Sequence, residues 1–557
     1  MILGVDVGGT HTDAVLIDRN GVFRETKTLT GDDLLKTLRD SIEKTAHDID
    51  PGQIERMAFS TTMATNAIVQ DQLEDTGMIV SCGPGMNPDW FSVGPSFHIV
   101  DGCLDHQGFE AMPLNRQSVM DATARIREKG INVIGVVGKF STRNPVHEIQ
   151  IADWTGSAFS HVALGHQVSG ILNFPRRITT TYLNAALHNI HQQFSSALLH
   201  TLAEKKLGAP RYLLKPDGGT VDLKQTEASP AQTAQSGPAA SVMGALALDS
   251  CPGTTLVLDI GGTTTDMGVV LNGVPLLDPS GIKLGPFQTL IRSLLTHSIG
   301  IGGDSEVQTG DSANLKIGPL RKDNPAAFGG SVPTPTDAMV VLGLLTAGDK
   351  DSAKAAMEKL AAPLGLNVPA TAEHVLEQTA KIIADAVHAF VSEINSRPVY
   401  TIHEVLENET IALDSVVIIG GPAPQLATYV GKALKLPYRV PSHFGVANAV
   451  GAAVARVTSE ITLQADNERG TVIIPEANIQ NKIDDDFGLD SAIALGHEVL
   501  QKMAIDMGAD PKTLEISTTE QQMFNMIRGY SRVGRNIRLK MCITPGIIPE
   551  WRGVNPK

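Results

Sequence analysis

Apolar residues come in short runs of four to seven bounded by glycine or polar turns, interleaved with longer stretches spaced at three and four residues. That alternation predicts an α/β chain. Leu34, Leu35, Leu38, Ile42 and Ala46 fall at helical spacing across 34–49, and 117–129 predicts another amphipathic helix ahead of a strand at 133–137. Tyr182, Leu183, Leu187, Ile190 and Leu198 mark a long helix over 178–206, expected to connect two lobes. A strand at 211–214 and a turn at 216–219 follow, and Ser236-Gly237-Pro238 opens a helix of small residues. Further on come a helix at 369–396, an apolar strand at 416–419 that stops at Gly420-Gly421-Pro422, and a small-residue helix within 441–454. Beyond 460 the chain becomes more charged, with a loop at Asp484-Asp485-Asp486 and an amphipathic helix at 490–508.

Two turns are nearly the same. Residues 6–13 read Asp-Val-Gly-Gly-Thr-His-Thr-Asp and residues 259–266 read Asp-Ile-Gly-Gly-Thr-Thr-Thr-Asp. A second D-x-G-G-T-x-T-D has a chance of about 10⁻⁴ in a chain this long at average residue frequencies, so an internal duplication is expected. Apolar runs flank each copy, which predicts strand, Gly-Gly turn, strand: a β-hairpin rather than the strand-to-helix setting of a P-loop or dinucleotide fingerprint. Gly8-Gly9 and Gly261-Gly262 let the backbone approach a ligand and aim N–H groups at phosphate oxygens. Thr10, Thr12, Thr263 and Thr264 add hydroxyls at the same place. Asp6 and Asp259, at the strand ends, suit Mg²⁺, which takes one or two carboxylates and completes its shell with water and phosphate oxygens. Asp13 and Asp266 close the motifs, either orienting the threonines or the attacking group or serving as turn residues.

Composition narrows the function classes. Glycine, at 53 of 557 residues, exceeds the average of about 7%, and the surplus sits in these turns, at Gly300–Gly303 and at Gly420–Gly421. The length implies several domain-sized units. A net charge of −15 with no basic run argues against binding nucleic-acid backbones. Four scattered cysteines without a CxxC pair argue against a disulfide framework or cysteine zinc site and for a reducing compartment. No apolar run approaches the roughly 18 residues of a membrane span, and the N-terminus shows no leader pattern. A cytoplasmic location is expected.

The paired hairpins resemble the phosphate-1 and phosphate-2 loops of the actin/hexokinase/heat-shock-chaperone ATPase superfamily. More narrowly the chain resembles the A subunits of the hydantoinase/5-oxoprolinase family. The segments that carry this are Ser60-Thr61-Thr62-Met63-Ala64-Thr65-Asn66, Phe140-Ser141-Thr142-Arg143-Asn144-Pro145-Val146-His147-Glu148, Ser236-Gly237-Pro238-Ala239, His297-Ser298-Ile299-Gly300-Ile301-Gly302-Gly303-Asp304-Ser305 and Thr336-Asp337-Ala338. They span roughly residues 1–455 in the family's order. The chain departs from the pattern at Asp304, where the family has a third glycine, near Cys82–Met86, and in being shorter than typical members. The resemblance implies two duplicated ribonuclease-H-like lobes of an actin-like ATPase, over 1–177 and 178–458, around a nucleotide cleft, with 459–557 an extension of unknown role. It implies ATP and Mg²⁺ as cofactors, Gly420, Gly421 and Pro422 at the adenosine, and Asp6, Asp259, Asp266 and His297 in catalysis.

The activity so implied is ATP-dependent opening of a cyclic amide or imide, of hydantoin or 5-oxoproline type, through phosphorylation of its carbonyl, either alone or with a B-type partner subunit. The alternatives are a small-molecule kinase and an ATP-driven activating subunit of a partner enzyme, including one like acetone carboxylase. Self-association is left open. Three local readings also stay open: His98, Asp101, Asp105 and His106 as metal site or loop, His297 as ligand or structural residue, and Asp304 as ligand or turn residue.

Overall fold

The computed structural model describes residues 1–31, 33–310, 314–319, 321–396 and 410–551. The first sheet runs Thr220–Asp222, Arg211–Leu214, Arg56–Thr61, Ile2–Val7, His11–Asp18, Gly21–Leu29. Ile2–Val7 pairs antiparallel with His11–Asp18 and parallel with Arg56–Thr61. The second sheet repeats this plan, with Val274–Pro275, Thr265–Leu271, Thr254–Ile260, Ser415–Ile419 and Tyr438–Arg439 in order and Thr296–Ile299 pairing beside Thr265–Leu271. Even the hairpin registers coincide. Asp6 sits opposite Asp13 and Asp259 opposite Asp266, and each turn closes with the same bond, Gly8 N–H to His11 O at 3.0 Å and Gly261 N–H to Thr264 O at 2.9 Å. The fold is the duplicated α/β architecture of actin-like ATPases. The sequence reading placed a boundary after residue 177, whereas the first sheet reaches beyond it, because Arg211–Leu214 pairs parallel with Arg56–Thr61.

Between the two sheets lies a core of small residues on two crossing helices, Ser236–Leu248 and Ala447–Val454. Ala240, Ala245, Ala449 and Ala453 pack there with Ile2 and Val15 of the first sheet and Val257 and Ile419 of the second. Close approach requires glycine. A Cβ at Gly244 would lie 2.1 Å from Ala447 O, one at Gly451 2.3 Å from Ala240 O, and one at Gly4 2.3 Å from Ala449 O. These two helices join the halves, so the expectation that 178–206 does so is corrected. That stretch forms two helices, Phe174–Ala186 and His188–Glu204, which serve different cores. Phe174, Ile178 and Leu183 pack with Met78 and Val137, while Phe194, Leu198 and Leu202 pack with Leu3, Val5 and Phe59.

Two further units frame the lobes. Residues 76–164 contribute an all-parallel sheet in the order His161–Leu164, Val133–Gly138, Thr76–Ser81, Ser96–Ile99. Residues past 459 form an antiparallel sheet in the order Ile479–Lys482, Thr471–Ile474, Glu460–Asp466, Ser531–Ile543, Ile516–Arg528, packed against the helix Leu489–Asp506. Its strand Glu460–Asp466 follows almost directly from the central helix, so this unit is docked at the base of the lobes. Among the described residues no helix is long and apolar enough to cross a membrane.

Candidate functional site

The duplication brings four carboxylates to the junction of the two hairpins. Burial pushes the Asp6 carboxyl up to about 7, hydrogen bonds from Ser60 and Asn448 oppose this, and the charges of Asp13 and Asp259 add to it. Asp266 is also pushed up to about 7, first by burial and then by Asp259, against a hydrogen bond from Ser298. Asp13 is raised by burial while Lys27 Nζ, 2.9 Å from its Oδ1, holds it back. Asp259 Oδ2 accepts from Ser241 Oγ at 2.7 Å and from Asn448 Nδ2 at 3.1 Å. Asn448 therefore touches an aspartate from each half. A carboxylate set that repels itself in a buried site is stabilised by a cation. Among the described residues no group of three or more His, Cys, Asp or Glu side chains is placed to ligate a metal, and the site fits an ion that takes two carboxylates and draws its remaining ligands from water and phosphate.

The glycine turns converge on the second hairpin. Gly420 has φ 94°, and a Cβ there would lie 2.5 Å from Asp259 Oδ1 and 2.3 Å from Ile260 O, so only glycine fits beneath this carboxylate. Gly303 N–H donates to Gly261 O at 3.0 Å and Asp304 N–H to Gly262 O at 2.6 Å, clamping the phosphate-2 turn. A Cβ at Gly303 would meet Pro422 Cγ at 2.9 Å, so this clamp also abuts the Gly420-Gly421-Pro422 turn at the start of the helix Ala423–Leu434. Gly9 and Gly421 are open, with nothing within 4 Å of an added Cβ. Gly8, Thr10, Gly261, Gly262 and Thr263 stand partly exposed and Gly9 and Thr264 exposed on the two turns, where a ligand can reach them.

Three expected residues are turned elsewhere. Thr12 is buried and its Oγ1 pairs with Thr30 Oγ1 at 3.0 Å, while Thr30 Oγ1 donates to Gly8 O at 2.9 Å. Thr12 thus braces the turn from behind, as its counterpart Thr265 does by donating to Ile301 O at 2.7 Å. His297 lies on Thr296–Ile299, where alternation sends Ser298 to Asp266 and the histidine to the opposite face. There its ring stacks on Phe390 with centroids 5.8 Å apart, and the structure does not bring it to the carboxylates. Asp105, in the His98–His106 group, spends its Oδ1 on Gln107 and Phe109 N–H and so shapes a loop.

The Phe140–Glu148 segment caps the C-terminal end of the inserted sheet's central strand Val133–Gly138 and leads into the helix Val146–Thr155. Buried Glu148 accepts from Gly138 N–H at 2.7 Å and His166 N–H at 2.8 Å, and buried Arg177 donates to Gly138 O and Lys139 O. Apart from the hairpins, a cavity of about 540 Å³ opens between the lobes' base and the C-terminal unit, walled by Lys215, Asp217, Arg292, Glu460 and Glu476. The residues that sequence reasoning missed are Ser241 and Asn448. Both sit on the crossing helices, and nothing local marks them.

Known proteins give the same frame. A solved nucleotide-free structure of acetone carboxylase superposes with a TM-score of 0.70 at 18% identity, covering 98% of this chain and 88% of its own. Caprolactamase from Pseudomonas jessenii superposes with a TM-score of 0.69 at 18% identity, covering 97% and 87%. At that identity the likeness is one of fold. Among curated proteins, the caprolactamase alpha subunit of Pseudomonas jessenii is 24% identical over 67% of this chain and 60% of its own length. The acetone carboxylase beta subunit of Xanthobacter autotrophicus is 22% identical over 70% and 62%. An uncharacterized protein of Methanocaldococcus jannaschii is 23% identical over 70% and 65%. The chain spans 60 to 65% of the length of these curated relatives. The hydantoinase/oxoprolinase N-terminal description matches residues 2–157 and the hydantoinase/oxoprolinase description matches residues 177–461. Carrying both segments in order on a duplicated α/β frame, the chain belongs to the hydantoinase/oxoprolinase family.

Proposed function

We propose that the chain is an ATP-dependent amidohydrolase, or the ATP-using subunit of one, that opens a cyclic amide by phosphorylating its carbonyl oxygen. The observation that supports this reading is the shared register of the two hairpins, which sets Asp6 and Asp259 at the equivalent place beside two Gly-Gly turns. An amide carbonyl is a poor electrophile, and ATP supplies a phosphoryl group that makes its oxygen a leaving group. Backbone N–H groups of Gly8-Gly9 and Gly261-Gly262 would orient the phosphates, and Gly420-Gly421-Pro422 the adenosine. Asp6 and Asp259 would hold Mg²⁺, whose charge offsets that of the phosphates. Asp266, with a carboxyl near 7, suits proton transfer from an attacking group at neutral pH. Its partner Ser298 and its strand position hold it beside Asp259, not His297. The bonds balance as ATP plus lactam plus two waters giving ADP, phosphate and the ring-opened amino acid, one water opening the ring and the other releasing the phosphoryl group.

The similarity to the acetone carboxylase beta subunit supports a second reading, an ATP-driven activating subunit whose phosphorylated carbonyl compound passes to a partner. Relatives named as subunits make a B-type partner the expected companion under either reading. Buried, free Cys82, Cys103, Cys251 and Cys542 fit a reducing, cytoplasmic setting. The test is an ADP-release screen on hydantoins, 5-oxoproline and caprolactam-type rings, with and without a candidate partner, followed by product analysis. ADP with ring-opened acid supports the first reading. A stable phosphorylated product points to a kinase, and turnover only with a partner to the second reading.

A further inference from the structure

We propose that Arg321 is a phosphate-binding cation of the nucleotide cleft, held over the second hairpin turn by Asp304. The proposal rests on the reading that the hairpins bind a nucleotide. Asp304 occupies a position where the family pattern has glycine, and its side chain is directed at the phosphate-2 turn. Its Oδ2 would be 2.7 Å from a Cβ on Gly262, and its own N–H is bonded to Gly262 O. Its Oδ1 lies 3.1 Å from Thr336 Oγ1, whose single proton is shared with Gly303 O at 2.8 Å, so the carboxylate is braced from below. A bare carboxylate in that place repels a polyphosphate.

Arg321 supplies the compensation. Its Nη2 stands 3.5 Å from Asp304 Oδ2 and donates to Asn324 Oδ1 at 2.9 Å, and about a quarter of the side chain is exposed. Both contacts fall on Nη2, so among the described residues most of the guanidinium's five donors are uncommitted. The same positive charge is felt by His11 on the first hairpin, whose imidazole is pushed down by burial, by Lys27 and by Arg321. Lys27 is committed to Asp13 through both carboxylate oxygens, at 2.9 and 3.0 Å, and His11 is held toward its neutral form. Arg321 is thus the side chain poised to meet phosphate oxygens, since a planar guanidinium binds them bidentately. Asp304 and Arg321 form a unit in which the acid positions the base.

The test measures Mg-ATP binding by calorimetry and steady-state ATP turnover for the wild type, Arg321→Ala, Arg321→Lys, Asp304→Gly and the double variant Asp304→Gly/Arg321→Ala. Failure of the wild type to bind Mg-ATP overturns the nucleotide reading itself. If the wild type binds, Arg321→Ala is expected to lose about 10²-fold in kcat/KM with an unchanged unfolding midpoint, and Arg321→Lys to recover part of the ATP KM. The double variant is expected to outperform Arg321→Ala alone, because the uncompensated carboxylate is gone. Wild-type affinity and turnover in Arg321→Ala overturn the proposal, as does a loss that merely follows a lowered unfolding midpoint or a double variant worse than Arg321→Ala.

Discussion

Gly451→Ala places one methyl group at the crossing of the central helices. The added carbon would lie 2.3 Å from Ala240 O and 2.4 Å from Gly244 N, both backbone atoms. Neither can rotate away, so the helices must part by roughly 1 Å to restore ordinary contact, an overpacking that costs about 1–3 kcal/mol. The displaced helix carries Asn448, which donates to Asp259 Oδ2 and also hydrogen-bonds Asp6. A shift of that size at reacting groups lowers turnover by about 10²-fold. Urea titration gives the stability change and coupled ADP release gives the turnover. Gly208→Ala, where an added carbon has nothing within 4 Å, is the control. The reasoning is refuted if Gly451→Ala matches that control in both assays.

Asn448→Ala is expected to weaken turnover by about 10-fold or more with little loss of fold, since a charge-assisted hydrogen bond of about 1.5–3 kcal/mol goes from Asp259; steady-state kinetics with circular dichroism checks it. Asp6 and Asp266 have folded-state carboxyls near 7 against ordinary values of 3.8. Their contribution to the ligand-free protein's stability is therefore complete below pH 4 and lost as pH rises to about 7, which denaturation across that range reads. Because a cation at this site requires the Asp6 carboxylate, Mg-ATP affinity should rise over the same window, and Asp6→Asn should flatten the rise. Arg292→Ala should destabilise by about 1–3 kcal/mol in a urea titration, because it removes a guanidinium 3.2 Å from buried Asp217, which keeps Lys215, Thr458 Oγ1 and Gly219 N–H as partners.

The sequence revealed whatever is encoded locally. The hairpins were legible because a Gly-Gly turn between two apolar runs is a local signal, whereas the register that sets Asp6 opposite Asp13 and Asp259 opposite Asp266 is seen only in the paired strands. The Gly420 turn and the helix within 490–508 were legible for the same reason. What stayed hidden depends on distant segments meeting. Asn448 reaches Asp259 only because two helices of small residues cross, and the Arg321–Asp304 contact closes across the paired strands Val307–Thr309 and Leu315–Ile317. Strand alternation decides that His297 faces Phe390, but that alternation acquires meaning only once Thr296–Ile299 is known to pair with Thr265–Leu271. The long helix expected at 178–206 was misread as a bridge because hydrophobic spacing cannot say that its two halves pack against different sheets.

The central claim is that Asp6 and Asp259 jointly hold a metal-bound nucleotide between duplicated hairpins. Calorimetric titration of ATP into the wild type, Asp6→Asn and Asp259→Asn, with Mg²⁺ and with chelator, tests it most directly. The account predicts one Mg²⁺-dependent site in the wild type and at least about 10-fold weaker binding in each variant. Binding that ignores Mg²⁺, or that both variants retain unchanged, would contradict it.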